Sequence, residues 1–177
     1  MICTFHLAFF LPVLLTVNPL LCAGAQNEKK EPALEPEVLG AVFFIDSSKG
    51  ALLALERQTG KLVAGYIRAS VEIKGKRSPV RITGDAGQDF VVALPSGVDP
   101  SKFELFLMEA KKGRRRIVIS TDKFFTIKAG KASLPVTVKR YGQSSYMLTP
   151  ARPLPPGEYC FSPSDSNDTF CFGIDEK

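Results

Sequence analysis

The residues with chemistry to offer are few. Four cysteines stand at positions 3, 22, 160 and 171, and the only histidine is His6. Cys160 and Cys171 lie in two apolar runs, Leu154-Pro-Pro-Gly-Glu-Tyr-Cys-Phe161 and Thr169-Phe-Cys-Phe-Gly173, separated by the polar stretch 162–168. That pattern predicts a hairpin. Opposing Cys160 with Cys171 sets Tyr159 against Phe172 and Phe161 against Phe170. Alternation then places the four rings on a core-facing side and both sulfurs, with Glu158, on the other. The chemistry expected of the pair is a disulfide. A metal or redox site would need partners, and the chain has neither a C-x-x-C nor a histidine beyond position 6. The loop that the disulfide closes is short, so the expected contribution is about 2–3 kcal/mol at most.

Catalytic groups are poorly supplied. Without a histidine in the body of the chain there is no Ser-His-Asp or Cys-His arrangement, and no glycine-rich phosphate loop is present. Asp85 with Asp89 and Asp165 with Asp168 are paired carboxylates of the kind a hydrolase or carbohydrate-active enzyme sets across a cleft. Both pairs fall in turn-forming segments, where Asp is common for conformational reasons. Asp165, Asn167 and Asp168 could ligate calcium but lack an EF-hand frame, and Asn167-Asp-Thr169 fits a glycosylation sequon. No catalytic residue, cofactor or metal is therefore expected, with the loop-carboxylate hydrolase as the alternative.

Charge is unevenly distributed. Between Lys111 and Arg140 ten basic residues face one acid, Asp122, so this segment carries +9 and the rest of the chain −4, for a net +5. Its densest part, Lys111, Lys112, Arg114, Arg115 and Arg116, spans a predicted hairpin turn. These five are the candidate anion-binding residues, expected to form an exposed edge for an acidic envelope protein or anionic envelope polymer. The alternative is a solvated edge that blocks sheet-to-sheet association. Nucleic acid is not an expected partner, because stacking aromatics do not interleave with the cluster.

The elements that must carry these groups are strands. Short apolar runs alternate with turn signals from Leu39 onward: Ala41–Ile45, Ala51–Leu55, Val63–Ile73, Pro79–Ile82, Phe90–Leu94, Phe103–Met108, Arg115–Ser120, Leu134–Lys139, Ser145–Leu148, Glu158–Phe161 and Thr169–Gly173. Period-2 alternation is clearest where Ile67, Ala69, Val71 and Ile73 share one face. Ser47-Ser-Lys-Gly50, Lys74-Gly-Lys76 and Lys111-Lys-Gly113 supply turns. No helical stripe is sustained, and Asp99-Pro-Ser-Lys102 predicts a single turn. Roughly ten short strands at this spacing predict an all-β, antiparallel sandwich, with a β-barrel as the alternative.

The N-terminal part reads as an address. Residues 1–27 contain no Lys, Arg, Asp or Glu, and Leu7–Val17 is apolar. Ala23-Gly24-Ala25 forms a signal-peptidase pattern, so residues 1–25 are expected to be a signal peptide and Gln26 the mature N-terminus. Cleavage would remove Cys3, His6 and Cys22 and leave no transmembrane segment. Residues 26–38 are charged and proline-bearing, a solvated leader, and 39–177 form the β-sandwich domain. The localisation expected is exported: periplasmic, cell-envelope or extracellular.

Leu154-x-Pro-Gly-Glu-Tyr159 resembles the closing strands of immunoglobulin-like sandwich domains, in which the tyrosine hydroxyl bonds back to the preceding loop. The chain departs from antibody-type domains in that its cysteine follows the tyrosine directly and it has no tryptophan. More broadly, Ser78-Pro-Val-Arg81, Gly87-Gln-Asp-Phe90, Ser96-Gly-Val-Asp-Pro-Ser-Lys102, Lys139-Arg-Tyr-Gly142, Leu148-Thr-Pro150 and Pro156-Gly-Glu-Tyr159 resemble a family of small exported bacterial proteins of unknown function. That resemblance spans Leu39 to Asp175. It implies an envelope or periplasmic β-domain and brings over no catalytic residues; with the scarcity of catalytic groups, the function expected is non-catalytic, by binding or structural association.

Overall fold

Two sheets organise the strand-forming sequence. The computed structural model describes residues 34–64, 68–84, 86–121, 127–128 and 133–176. Residues 1–33, which hold the expected signal peptide and most of the expected leader, lie outside the described residues together with Asp85 and Ile67. In chain order the strands are β1 (Val42–Asp46), β2 (Ala51–Ala54), β3 (Glu56–Thr59), β4 (Lys61–Ala64), β5 (Arg68–Lys74), β6 (Arg81–Thr83), β7 (Phe90–Ala93) and β8 (Phe103–Lys111). They continue with β9 (Arg114–Thr121), β10 (Ile127–Lys128), β11 (Ser133–Leu134), β12 (Val136–Arg140), β13 (Ser145–Pro150), β14 (Gly157–Pro163) and β15 (Asp168–Asp175). The expected single turn is a 3-10 helix at Pro100–Lys102, where Asp99 accepts from the Ser101 N–H at 2.9 Å. All these strands fall within one compact unit, Glu31–Lys177.

The first sheet runs β12-β13-β7-β1-β2. The second runs β3-β15-β14-β8-β9-β5-β4, with β6, β10 and β11 paired to its members. Every named pair is antiparallel except β15 with β6. The all-β, antiparallel architecture is as expected, and it combines the sandwich and barrel forms. The two sheets bury Phe90 of β7 against the hairpin rings, with centroids 5.0 Å from Phe161 and 4.7 Å from Phe172. Tilted and edge-on ring pairs of this kind exploit the aromatic quadrupole as well as burial. The second sheet then curls until it nearly closes, because its outermost strands β3 and β4 are consecutive in the chain and joined through Gly60. A smaller core of Ile73, Phe106, Met108, Ile117 and the two sulfurs lies on its far side.

The β14–β15 register is as read from the sequence: Tyr159↔Phe172, Cys160↔Cys171 and Phe161↔Phe170. The disulfide is formed, and the four rings share the larger core. Tyr159 donates its hydroxyl to the Pro155 carbonyl at 2.8 Å, the bond back to the preceding loop that the resemblance implied.

Three local expectations are corrected. Val63–Ile73 is not one strand but β4 and β5, paired antiparallel through Lys61↔Glu72 to Ala64↔Ala69. Glu-Arg-Gln-Thr, without an apolar pattern, becomes β3 because β15 offers it a ladder from Cys171↔Glu56 to Asp168↔Thr59. The leader, described from Leu34 on, is docked at its end: Glu35 accepts from the Gln143 N–H at 2.6 Å and from the Ser145 hydroxyl at 3.0 Å. These bonds hold the Glu35 carboxyl below its usual range, the Gln143 amide most strongly.

Candidate anion-binding face and the buried arginine beneath it

The β8–β9 hairpin turns through two residues in the left-handed region, Lys112 at φ 49° and Gly113 at φ 79°. Such a two-residue loop matches the twist of the flanking strands. Glycine is suited to that conformation; lysine is not. The register sets Lys111 opposite Arg114, Ala110 opposite Arg115 and Glu109 opposite Arg116. Pleating then separates the three arginines. Arg114 and Arg116 project outward, and Arg115 points into the curled sheet with Ile117.

Arg115 is fully buried, at 0% exposure. It was expected on the exposed edge, and the structure removes it from the candidate anion-binding set. Its guanidinium donates to the Glu56 carboxylate at 3.1 Å and to the carbonyls of Lys74 and Gly75 at 3.2 and 3.3 Å. A second guanidinium nitrogen stands 2.8 Å from the other Glu56 oxygen, an ion pair outside hydrogen-bond alignment, and 3.7 Å from Glu158. Burial acts to raise the Glu56 carboxyl, but Arg115, with Gln58 and Ser78, outweighs it and leaves the pKa below its usual value.

Glu158 belongs to the same network. It shares the sulfur face, as predicted, but that face is interior and its exposure is only 8%. Glu158 accepts from the Ser78 N–H at 2.7 Å and pairs with Arg81. Arg81 also grips Asp175 through two nitrogens, at 2.9 and 2.5 Å. Asp175 raises the Arg81 pKa, and Arg81 in turn holds the Asp175 carboxyl low. The guanidinium lies directly over Gly173, where a Cβ would collide with it. Three arginines and three carboxylates (Arg77, Arg81, Arg115; Glu56, Glu158, Asp175) thus balance one another across β3, β6, β9, β14 and β15.

On the outer surface the ladder β4-β5-β9-β8 carries Lys61, Lys74, Lys111, Arg114 and Arg116, with Lys112 at the turn. Arg114 pairs with Glu72 at 2.7 Å and Arg116 with Glu109 at 2.8 Å. Two depressions flank the Arg114–Glu72 pair. One, of about 450 Å³, is lined by Glu72, Lys111, Lys112, Arg114 and Arg116. The other, of about 440 Å³, is lined by Gln58, Lys61, Lys74 and neighbours. Lys61 and Lys74 were not legible as site residues, since they lie far from the basic run in sequence. Only the register Lys74↔Arg114 and Lys61↔Glu72 brings them there.

Of the paired loop carboxylates, Asp85 lies outside the described residues, and the other three each hold a partner of their own. Asp165 pairs with Lys102 at 2.9 Å, which lowers its pKa. Asp168 pairs with Arg57 at 2.7 Å, and Asp89 accepts from the Thr149 hydroxyl at 2.6 Å. No group of three or more metal-ligating side chains occurs among the described residues, and among them no helix is long and apolar enough to cross a membrane. Compared with known proteins, the chain matches no family model, no curated protein and no solved structure.

Proposed function

We propose that this protein is an exported, non-catalytic β-module that binds an anionic partner, an acidic envelope protein or an envelope polyanion, through the outer face of the β4-β5-β9-β8 ladder. One observation carries the reading: six cations, Lys61, Lys74, Lys111, Lys112, Arg114 and Arg116, share that face with two carboxylates, Glu72 and Glu109. A surplus of +4 among the described side chains, on an open, shallow surface, favours a broad polyanion over a compact substrate, because it offers attraction without enclosure. Export is supported by the Ala23-Gly24-Ala25 pattern in the sequence and by a disulfide, which persists in oxidising compartments.

The test is retention on dextran sulfate across a salt gradient. Exposed charges are screened over about 8–10 Å at physiological ionic strength, so retention should fall steeply with salt. Replacing Lys61, Lys74, Lys111 and Lys112 together with Gln should abolish it while leaving the thermal midpoint nearly unchanged, since exposed charges add little stability. Retention that survives both the fourfold change and high salt would sink the electrostatic reading.

A further inference from the structure

A second concave site lies away from the basic face. It is a groove of about 340 Å³ lined by Leu107 of β8, Tyr159 of β14, Leu134 of β11 with the adjoining Pro135, Pro150 of β13 and the Arg152–Pro155 segment. Leu107 is 47% exposed, although Phe103 and Leu105, on the same face of the same strand, are 5% and 0% exposed. The apolar face of β8 therefore continues past the sandwich core into solvent-filled space.

The groove is held open by fixed backbone. Gln88 clamps Leu154 from both sides, accepting from its N–H at 2.6 Å and donating to its carbonyl at 3.2 Å. Ala151 N–H donates to the Pro135 carbonyl at 2.9 Å, tying together the segments on either side. The Tyr159 hydroxyl is spent on the Pro155 carbonyl, so the tyrosine contributes its ring, not a free donor. Prolines 135, 150, 153 and 155 have restricted φ, which limits what binding must still order. A largely preformed apolar concavity of this size, with one polar group at its border, has the character of a small-molecule site.

Arg152 is that polar group. It is exposed, and among the described residues it is the sole charged residue lining the groove and pairs with no carboxylate. A guanidinium fork is suited to a carboxylate. We propose that the groove binds a small amphiphilic carboxylate, its apolar body against Leu107, Tyr159 and the prolines and its head group on Arg152. At about 30 Å³ per water-sized group the space accommodates roughly eleven such groups, the size of a medium-chain acid.

Decanoate and decanol are the probes, titrated into the disulfide-bonded protein by calorimetry, with the Leu107 methyl resonances followed in parallel. Saturable one-to-one binding of decanoate that moves those methyls is the expected result. Arg152→Gln should weaken decanoate about tenfold, the effect of losing one charge-assisted pair, and leave decanol unchanged. Leu107→Gln should weaken both probes, and Lys111→Gln with Lys112→Gln should weaken neither. Equal affinity for decanoate and decanol, loss of binding with the lysine changes, or unmoved Leu107 methyls at saturation would each overturn the proposal. The methyl shifts are read on the unaltered protein, so the outcome does not depend on a variant folding.

Discussion

Arg115 shows how one position can reverse the meaning of a motif. Three consecutive arginines look alike in composition, yet the middle one is enclosed with Glu56 and Glu158, and its neighbours remain at the surface with Glu72 and Glu109. Removing one partner of a buried ion pair strands the other charge, whereas an exposed pair is largely replaced by water. Arg115→Gln should therefore destabilise the protein by about 3–5 kcal/mol, against about 1 kcal/mol or less for Arg114→Gln or Arg116→Gln. Urea unfolding of the three variants checks this, and equal effects would mean that the pleat assignment is wrong. Glu158→Ala belongs with Arg115 by the same reasoning, since it would leave Ser78, Arg81 and Arg115 facing an empty site.

Carboxylates held below their usual range set the response to acid. Asp175 is held low chiefly by Arg81, Glu56 ends below its usual value, and Asp46 is drawn down to about 2, chiefly by Lys49. Each folded pKa lies below its unfolded value, so on acidification the unfolded chain takes up protons first. Their stabilisation is fully present above the ordinary carboxylate range near 4 and is lost as pH falls through the folded values, down to about 2 for Asp46. Unfolding midpoints measured from pH 7 to pH 2 should decline only below about pH 5. A midpoint that rose on acidification would contradict the sign.

At the scale of elements, β14 and β15 do two jobs. Their rings face the sandwich core and their sulfurs the smaller one, so a hairpin that alternates in sequence is buried on both sides, Tyr159 to Phe161 and Thr169 to Ile174 alike. Phe161→Ala should accordingly cost about 3–5 kcal/mol. The β8–β9 hairpin is the less optimised element, because Lys112 occupies a left-handed conformation that favours Asn or Gly. Lys112→Asn should stabilise the hairpin by about 1 kcal/mol, measured as a raised thermal midpoint. A lower midpoint would show that the lysine stem packs against the turn.

For the whole molecule, a formed Cys160–Cys171 bond and the export pattern make one joint prediction. Protein recovered from a secreting host should begin at Gln26 and react with no thiol reagent until reduced, as intact-mass and alkylation measurements would record. A free thiol in that material would contradict the disulfide, and an N-terminus at Met1 would contradict processing.

Much of this molecule is legible locally. The hairpin register, the paired cysteines, the turn at Asp99 and the all-β class follow from spacing, alternation and turn chemistry, which act between near neighbours in the chain, and the bond from Tyr159 to Pro155 was implied by the immunoglobulin-like resemblance. Even the division of Arg115 from Arg114 and Arg116 is implicit in its parity with Ile117. What alternation cannot say is what each face meets. A hairpin alone has an inside and an outside, which sets the sulfur face away from the core; the curling of the second sheet gives it two insides. The polar β3, the gathering of Lys61 and Lys74 beside the basic turn and the proline-lined groove at Arg152 arise in the same way. Each is made by segments distant in the chain, and only closure of the sheets brings them together.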